Sequence, residues 1–407
     1  MNAIIEQSIA KGSVTAPPSK SLAHRYIICA ALSNGVSKIR NVDLSEDIKA
    51  TLDCIRALGA KVDIDGDLVT IEGINAADLV NNKSADKKEE VIFKCRESGS
   101  TMRFFMGLAM FFGLPSKFYG SQTLRNRPFG IYEDICGKQN IEFVRQGDYI
   151  FLNGQISPGE YNIKGNISSQ FITGLMFIMP LLKENSIIKL IPPVESRSYI
   201  NLTIQALSYY GVEAYWQGEN DIVIKGNQCY KAHNETVEGD ASNAAFLEAF
   251  NYIGGSVDVM GCNPDTLQGD AVYGKLFDKL KDCNSDEAID ISDCPDLGPV
   301  LFAVAACLNG GYFTGTRRLK MKESDRGTVM CAELAKFGIS SSISENEITI
   351  SGGCLTKASE LSKHLPTEVL DGHNDHRIVM SLAIMLSLTG GQISGAQAVT
   401  KSYPGFF

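Results

Sequence analysis

The chain has 407 residues, 44% hydrophobic and 21% charged, with 38 Lys plus Arg against 47 Asp plus Glu for a formal net charge of −9. That length predicts two domains, and the acidity argues against a nucleic-acid binder, which would carry a basic face. Eleven cysteines without C-x-x-C spacing argue against a disulfide framework or a zinc site and fit a reduced cytosol, with most buried as small apolar residues.

No apolar run reaches the roughly 18 residues of a membrane span. The nearest, 171–182, contains Thr173 and Gly174, ends at Lys183 and predicts a buried helix. The first eleven residues lack an apolar core of signal-peptide length. Residues 1–18 predict a strand ahead of the first helix. Pro17-Pro18-Ser19-Lys20-Ser21-Leu22-Ala23-His24-Arg25 then opens a helix whose body, 26–32, is apolar. A helix N-terminus presents unpaired N–H groups and a partial positive charge, so Lys20, Ser21 and Arg25 there suit a phosphate or carboxylate. The same segment also reads as a capped, buried helix with two surface cations.

The pattern recurs along the chain. Glu97-Ser98-Gly99-Ser100-Thr101-Met102-Arg103 precedes 104–114, Ser168-Ser169-Gln170 precedes 171–182, and Asp240-Ala241-Ser242-Asn243 precedes 244–250. Cys294-Pro295-Asp296-Leu297-Gly298 precedes 299–308, and Asn374-Asp375-His376-Arg377 precedes 378–388. A second token alternates with these starts. Residues 58–73, 139–154, 210–226 and 337–352 each read as a helix end capped by Gly or Asn, a short strand, a turn and a second strand. A degraded copy follows 280–283. Units of about one sixth of the chain cannot bury their apolar faces alone and must pack together. Residues 81–90 read as a charged, exposed connection, and polar 227–237 as a candidate domain crossing.

The special segments of this acidic chain concentrate cations: Lys20, Arg25, Arg103, Arg127, Lys322, Arg326, Arg377 and Lys401. Residues 317–326 hold five cations and two acids, which predicts either a solvated loop or a site. Glu323, between Lys322 and Arg326, is expected to have a lowered pKa. Asp296 after Pro295 is either a helix cap or a general base. His376 reads as a buried, satisfied histidine more readily than a catalytic one. Arg377 opposes the dipole of the helix it opens, a conflict a bound anion would resolve. There is no G-x-S-x-G elbow, P-loop or H-E-x-x-H, and nothing points to a metal or an organic cofactor. The residues alone stop at an enzyme or binder of small, multiply anionic substrates, held by helix starts from two domains.

Together these segments resemble the 5-enolpyruvylshikimate-3-phosphate synthase family over nearly the whole chain. PPSKSLAHR resembles its P-G-(S/D)-K-S-x-x-x-R start and SGSTMR its N-(A/S)-G-T-x-x-R loop; NRP, SSQF, VEGDAS, LQGD, PD, KESDR, NDHR and KSYP follow in order. The resemblance implies an α/β, two-domain enolpyruvyl transferase fold. Its six repeated βαβαββ units, three per domain, have helix N-termini facing an interdomain cleft. One domain would span 19–237, and a discontinuous second 1–18 plus 238–407. The implied reaction moves the enolpyruvyl group of phosphoenolpyruvate to the 5-hydroxyl of shikimate 3-phosphate and releases phosphate, on the way to chorismate and the aromatic amino acids.

By the same resemblance, Lys20, Ser21, Arg25, Ser168, Ser169, Gln170 and Ser196 hold shikimate 3-phosphate, and Asp296 and Lys322 contact its hydroxyls. Gly99, Arg127, Arg326, Arg377 and Lys401 hold phosphoenolpyruvate, shared with Lys20 and Gln170. Asp296 and Glu323 match the acid–base carboxylates, with Lys20 also catalytic. The partners implied are these two small molecules, with no metal, cofactor, nucleic acid or membrane, in a cytoplasmic monomer. Glu97 departs from a common Asn and is expected to pair with Arg or Lys; Arg318 replaces an Asn of some members and puts one hydroxyl contact in question. UDP-N-acetylglucosamine enolpyruvyl transferases share the fold and donor, but their start resembles G-(A/G)-K-N. A non-catalytic anion-binding protein on this scaffold would not need Asp296 and Glu323 together.

Overall fold

The computed structural model describes residues 1–76, 89–282 and 287–407. The 81–90 connection and the start of the degraded hairpin after residue 280 lie largely outside these residues. Contacts divide the chain into two compact units, one of Pro18–Glu238 and one of Met1–Pro17 with Gly239–Phe407. Each has its own apolar core.

All six polar starts open helices: Lys20–Leu32, Gly99–Phe112, Ser169–Ile178, Ala241–Tyr252, Gly298–Cys307 and His376–Thr389. Four are capped by the side chains that the sequence put there. Ser98 Oγ accepts from the Thr101 N–H at 3.2 Å and Ser168 Oγ from the Gln170 N–H at 3.4 Å. Asp240 Oδ1 accepts from the Asn243 N–H at 2.8 Å and Asp375 Oδ1 from the Arg377 N–H at 3.0 Å. The helix bodies lack a polar face and are covered on all sides; every residue of Gly298–Cys307 is buried. The 171–182 stretch is a buried helix finished by the 3₁₀ turn Met179–Leu181. Among the described residues, no helix is long and apolar enough to cross a membrane.

The alternating token also folds as expected. Asn140 caps its helix in the left-handed conformation, and Gly59, Gly211 and Gly338 follow helix ends with φ of +103°, +74° and +70°. Four antiparallel hairpins follow: Lys61–Asp65 with Leu68–Glu72, Glu142–Arg145 with Tyr149–Asn153, Ala214–Gln217 with Asp221–Ile224, and Ser341–Ile343 with Glu347–Ser351.

Each hairpin belongs to a four-stranded sheet of one plan. Val91–Lys94, for example, runs parallel to Ser116–Tyr119, which is antiparallel to Tyr149–Asn153. The first sheet takes its parallel strand, Glu235–Thr236, from far along the chain. The polar 227–237 segment therefore returns to the first sheet of its own unit. Two smaller sheets complete the described strands. One is Asn2–Ile5, Gly391–Ser394 and Leu370–Asp371; the other is Ser256–Met260 with Lys11–Thr15. The N-terminal segment, expected as one strand, is thus two strands in two sheets. Their partners, Ser394 for Asn2 and Ser256 for Lys11, lie hundreds of residues away, where no local pattern reaches them.

The helices Gly99–Phe112 and Ser169–Ile178 pack backbone to backbone. A Cβ on Gly107 would lie 2.6 Å from the Gly174 carbonyl oxygen. No side-chain rotation relieves a backbone clash. Gly107→Ala is therefore expected to destabilise its unit by about 1–3 kcal/mol, although Ala is the better helix former by about 1 kcal/mol. Urea unfolding followed by circular dichroism measures the change, and equal or higher stability would show that the helix pair separates easily.

Candidate active site

In the Pro18–Glu238 unit, the helix starts gather cations and hydroxyls. Lys20, on the first turn of Lys20–Leu32, pairs through Nζ with Asp47 Oδ2 at 2.9 Å. Ser21 lies beside it, partly exposed. Arg25 is not a surface cation: it is 3% exposed. Its Nη1 donates to the Ser21 carbonyl at 2.6 Å, Nε to Thr203 Oγ1 at 3.0 Å and Nη2 to the Tyr199 carbonyl at 2.9 Å. Burial without a paired carboxylate pushes its pKa down to about 10. Ser196, buried and left-handed at φ 56°, precedes the helix Arg197–Tyr209 that supplies Tyr199 and Thr203.

Gly99 opens the next helix inside a tight cluster. A Cβ there would lie 2.8 Å from Arg127 Nη1 and 2.9 Å from Arg103 Nη1. Arg103 lies over the rings of Phe129 and Phe171, at 5.4 and 5.0 Å, and donates to Gln170 Oε1 at 2.6 Å. Gln170 Nε2 donates to Ser100 Oγ at 2.9 Å. Ser168 caps the helix that carries Gln170, and Ser169 is buried in its first turn. Two guanidinium groups and a helix start thus lie around Gly99, a donor set suited to an anion. His24 is also buried, with Nδ1 2.7 Å from Thr51 Oγ1, which lies 2.7 Å from Thr101 Oγ1. Burial, then Lys20 and Arg25, holds its pKa well below the usual histidine range.

In the other unit, the charged 317–326 stretch is not a solvated loop. It forms the 3₁₀ segment Thr316–Met321 and the start of the helix Arg326–Ala335, with Arg318 4% and Arg326 1% exposed. Arg326 binds three carboxylates. Nε donates to Asp375 Oδ2 at 2.8 Å, Nη1 to Asp296 Oδ1 at 2.7 Å and Nη2 to Glu323 Oε2 at 2.5 Å. Asp296 lies in the 3₁₀ turn Pro295–Leu297, and the helix that follows has no side-chain cap, so the capping alternative falls. Its carboxylate meets Lys322 Nζ at 2.9 Å and Arg377 Nη2 at 3.3 Å as well as Arg326. Burial alone would raise its pKa, but Arg377, Lys322 and Arg326 together hold it well below the usual carboxylate range. His376 is buried, with Nδ1 3.8 Å from Asp375 Oδ1. Lys401 Nζ donates to the Asn374 carbonyl at 2.6 Å.

The structure adds contacts that the sequence did not reveal. Asp375 caps Arg377's helix, so the conflict between Arg377 and the helix dipole is relieved by Asp375 and Asp296 within the protein and does not require a bound anion. Asp375, inside the 374–377 start, was the available signal. The LQGD segment is a clamp: Gln268 Oε1 accepts from the Ala241 N–H at 3.1 Å and Nε2 donates to the Gly239 carbonyl at 2.8 Å. Asp270, 2% exposed, accepts a hydrogen bond from the Ser242 hydroxyl. Asp47 carried no local signal, because its partner Lys20 lies 27 positions away.

The profile of the family described as EPSP synthase (3-phosphoshikimate 1-carboxyvinyltransferase) matches residues 5–407. The chain belongs to the EPSP synthase family. Among its relatives, the 3-phosphoshikimate 1-carboxyvinyltransferase of Clostridioides difficile (strain 630) is 36% identical over 417 residues, which covers 97% of this chain and 93% of that protein. That of Clostridium beijerinckii is 38% identical over 416 residues, with 97% and 93% covered. The EPSP synthase structure from Acinetobacter baumannii superposes with a TM-score of 0.74 at 24% identity, covering 100% of this chain and 96% of that one. The α/β enolpyruvyl transferase fold and the carboxyvinyl transfer implied by the motifs are those of this family.

Asp270 gives a pH test of the site. Burial, reinforced by Asp296, pushes its carboxyl up to about 6, against the opposing pull of Arg377. The folded state therefore keeps this proton after the unfolded chain, at about 3.9, has lost it. The stability it contributes at low pH is lost as pH rises toward and through 6. Asp270→Asn is expected to gain on the wild type by on the order of 2 kcal/mol between pH 4.5 and 7. Melting curves across that range measure it; a difference that does not change with pH would show Asp270 ionised throughout.

Proposed function

We propose that this chain performs the family's reaction, from phosphoenolpyruvate and shikimate 3-phosphate, through the two clusters described above. The observation that carries the reading is Arg326, a buried guanidinium holding Asp296 and Glu323 together beside Lys322 and Arg377. Two carboxylates within one cationic cluster suit a reaction that removes a proton from an alcohol and exchanges another with carbon.

Asp296 takes the proton of the attacking 5-hydroxyl as its oxygen bonds to the donor's second carbon. Glu323, protonated from solvent before the step, delivers that proton to the methylene carbon. In the second step Glu323 takes a proton back from that carbon, the double bond re-forms, and phosphate leaves with the proton Asp296 had accepted. Three cations make Asp296 a weak base. A donor phosphate and carboxylate that compete for Arg326 and Arg377 raise its basicity, so donor binding and base activation are linked.

Lys20, Ser21, Arg25, Ser168, Ser169, Gln170 and Ser196 hold shikimate 3-phosphate in this reading, with Asp296 and Lys322 on its hydroxyls. Gly99, Arg127, Arg326, Arg377 and Lys401, with Lys20 and Gln170, hold the donor, and Lys20 assists catalysis. Arg25 contributes charge and braces Tyr199 and Thr203. Positioning two such anions against their repulsion supplies roughly 7–11 kcal/mol of the barrier lowering. A cytoplasmic monomer that uses no metal or organic cofactor is part of the same proposal.

Phosphate release should require shikimate 3-phosphate and phosphoenolpyruvate together and should not occur with UDP-N-acetylglucosamine as acceptor; the reverse preference would contradict the reading. Asp296→Asn and Glu323→Gln should each lose on the order of 10²–10⁴-fold in turnover, with shikimate 3-phosphate affinity changed far less. In deuterated water, incorporation into the product methylene should fall in step with turnover for Glu323→Gln. Normal turnover in either variant would reduce its carboxylate to a charge partner.

A further inference from the structure

The segment 371–375 delivers three features of the cluster: the Asn374 carbonyl that receives Lys401, the Asp375 carboxylate that receives Arg326, and the start of Arg377's helix. Its backbone is unusual. His373 and Asn374 are consecutive left-handed residues, with φ of 48° and 52°, and neither is glycine. Asn tolerates this conformation and His less so, and such a pair persists only where its surroundings over-determine it.

One helix supplies that constraint at two points. Arg326 opens Arg326–Ala335 and binds Asp375. Glu333 follows seven positions later, about two turns along the same face. It is a carboxylate only 2% exposed. Oε2 accepts from the Asp371 N–H at 3.0 Å and from Lys336 Nζ at 2.9 Å, and Oε1 lies 2.9 Å from His373 Nε2. With its proton on Nε2, the His373 ring donates to that oxygen. The loop closes on itself through the His373 N–H on Asp371 Oδ1 at 2.8 Å and the Asp375 N–H on the Gly372 carbonyl at 2.8 Å. Gly372 admits no side chain, because a Cβ there would lie 2.5 Å from Val379 Cγ2 and 2.9 Å from the Ser394 carbonyl oxygen.

We infer that Glu333 and His373 are a positioning pair, which holds the left-handed turn at 373–374 and thereby places Lys401, Asp375 and Arg377 for the donor anion. Neither residue touches the reacting atoms in this account; both act through the loop. The donor part rests on the proposed function, whereas the loop part rests on geometry alone.

Glu333→Gln leaves the side-chain volume nearly unchanged but turns an amide N–H₂ toward groups that are themselves donors. Hydrogen exchange read by mass spectrometry should quicken at peptides covering 371–376 and stay unchanged in the rest of the unit. The KM for phosphoenolpyruvate should rise about tenfold or more, with the KM for shikimate 3-phosphate within twofold. His373→Ala should reproduce both effects. His373→Asn, which tolerates the left-handed backbone and still offers an N–H donor, should restore most of the donor affinity. If Glu333→Gln loses structure throughout, the His373 pair carries the same test. Arg377→Ala separates the two readings. If it raises the donor KM while Glu333→Gln and His373→Ala leave both the 371–376 exchange and that KM unchanged, the positioning inference is overturned. If it leaves the donor KM unchanged, the donor assignment fails instead, and quickened exchange in Glu333→Gln still supports the loop constraint.

Discussion

Arg326 is the interaction on which its unit's site depends. Its guanidinium does not lose its proton in proteins, and at 1% exposure it has little water to stabilise it. An uncompensated buried charge costs about 3–5 kcal/mol, so the fold must bring carboxylates to it. They come from three places: Asp296 on a 3₁₀ turn, Glu323 just before the helix, and Asp375 at the cap of another helix. Meeting that demand fixes three helix starts around one point. Asp296 then draws in Lys322 and Arg377. The result alternates charge through six side chains, and the two carboxylates of the proposed proton exchange lie among cations that suit a phosphate and a carboxylate.

The other unit holds its arginines differently. Arg25 rests on carbonyl and hydroxyl oxygens, and Arg103 on two aromatic rings and an amide oxygen. These contacts stabilise a buried guanidinium through carbonyl, hydroxyl and amide oxygens and aromatic faces. Asp47 is the acidic partner there, on Lys20.

What was legible in the sequence was local. Ser98, Ser168, Asp240 and Asp375 precede apolar runs because a helix start needs acceptors for its orphan N–H groups, and that need falls within three residues. Gly59, Gly211, Gly338 and Asn140 mark hairpins because left-handed caps restrict residue choice. What was not legible depends on distance. The segment 1–18 is two strands because its partners are Ser394 and Ser256. Residues 317–326 read equally well as a solvated loop, since nothing nearby shows that Asp375 lies against Arg326. Glu333 carries no local signal, because only the fold brings His373 and the Asp371 N–H to it. Arg377's quarrel with the helix dipole was a real signal, but its first answer was Asp375 and Asp296.

The central claim is that Lys322, Arg326 and Arg377 together set the charge of Asp296, and that donor anions loosen the hold of the two arginines. Carbon-13 NMR titration of the Asp296 carboxyl, assigned by its loss in Asp296→Asn, tests this most directly. The account predicts a midpoint well below the ordinary value of about 3.9 in the free protein and an upward shift on addition of phosphoenolpyruvate. A midpoint near that ordinary value, unmoved by the donor, would contradict it.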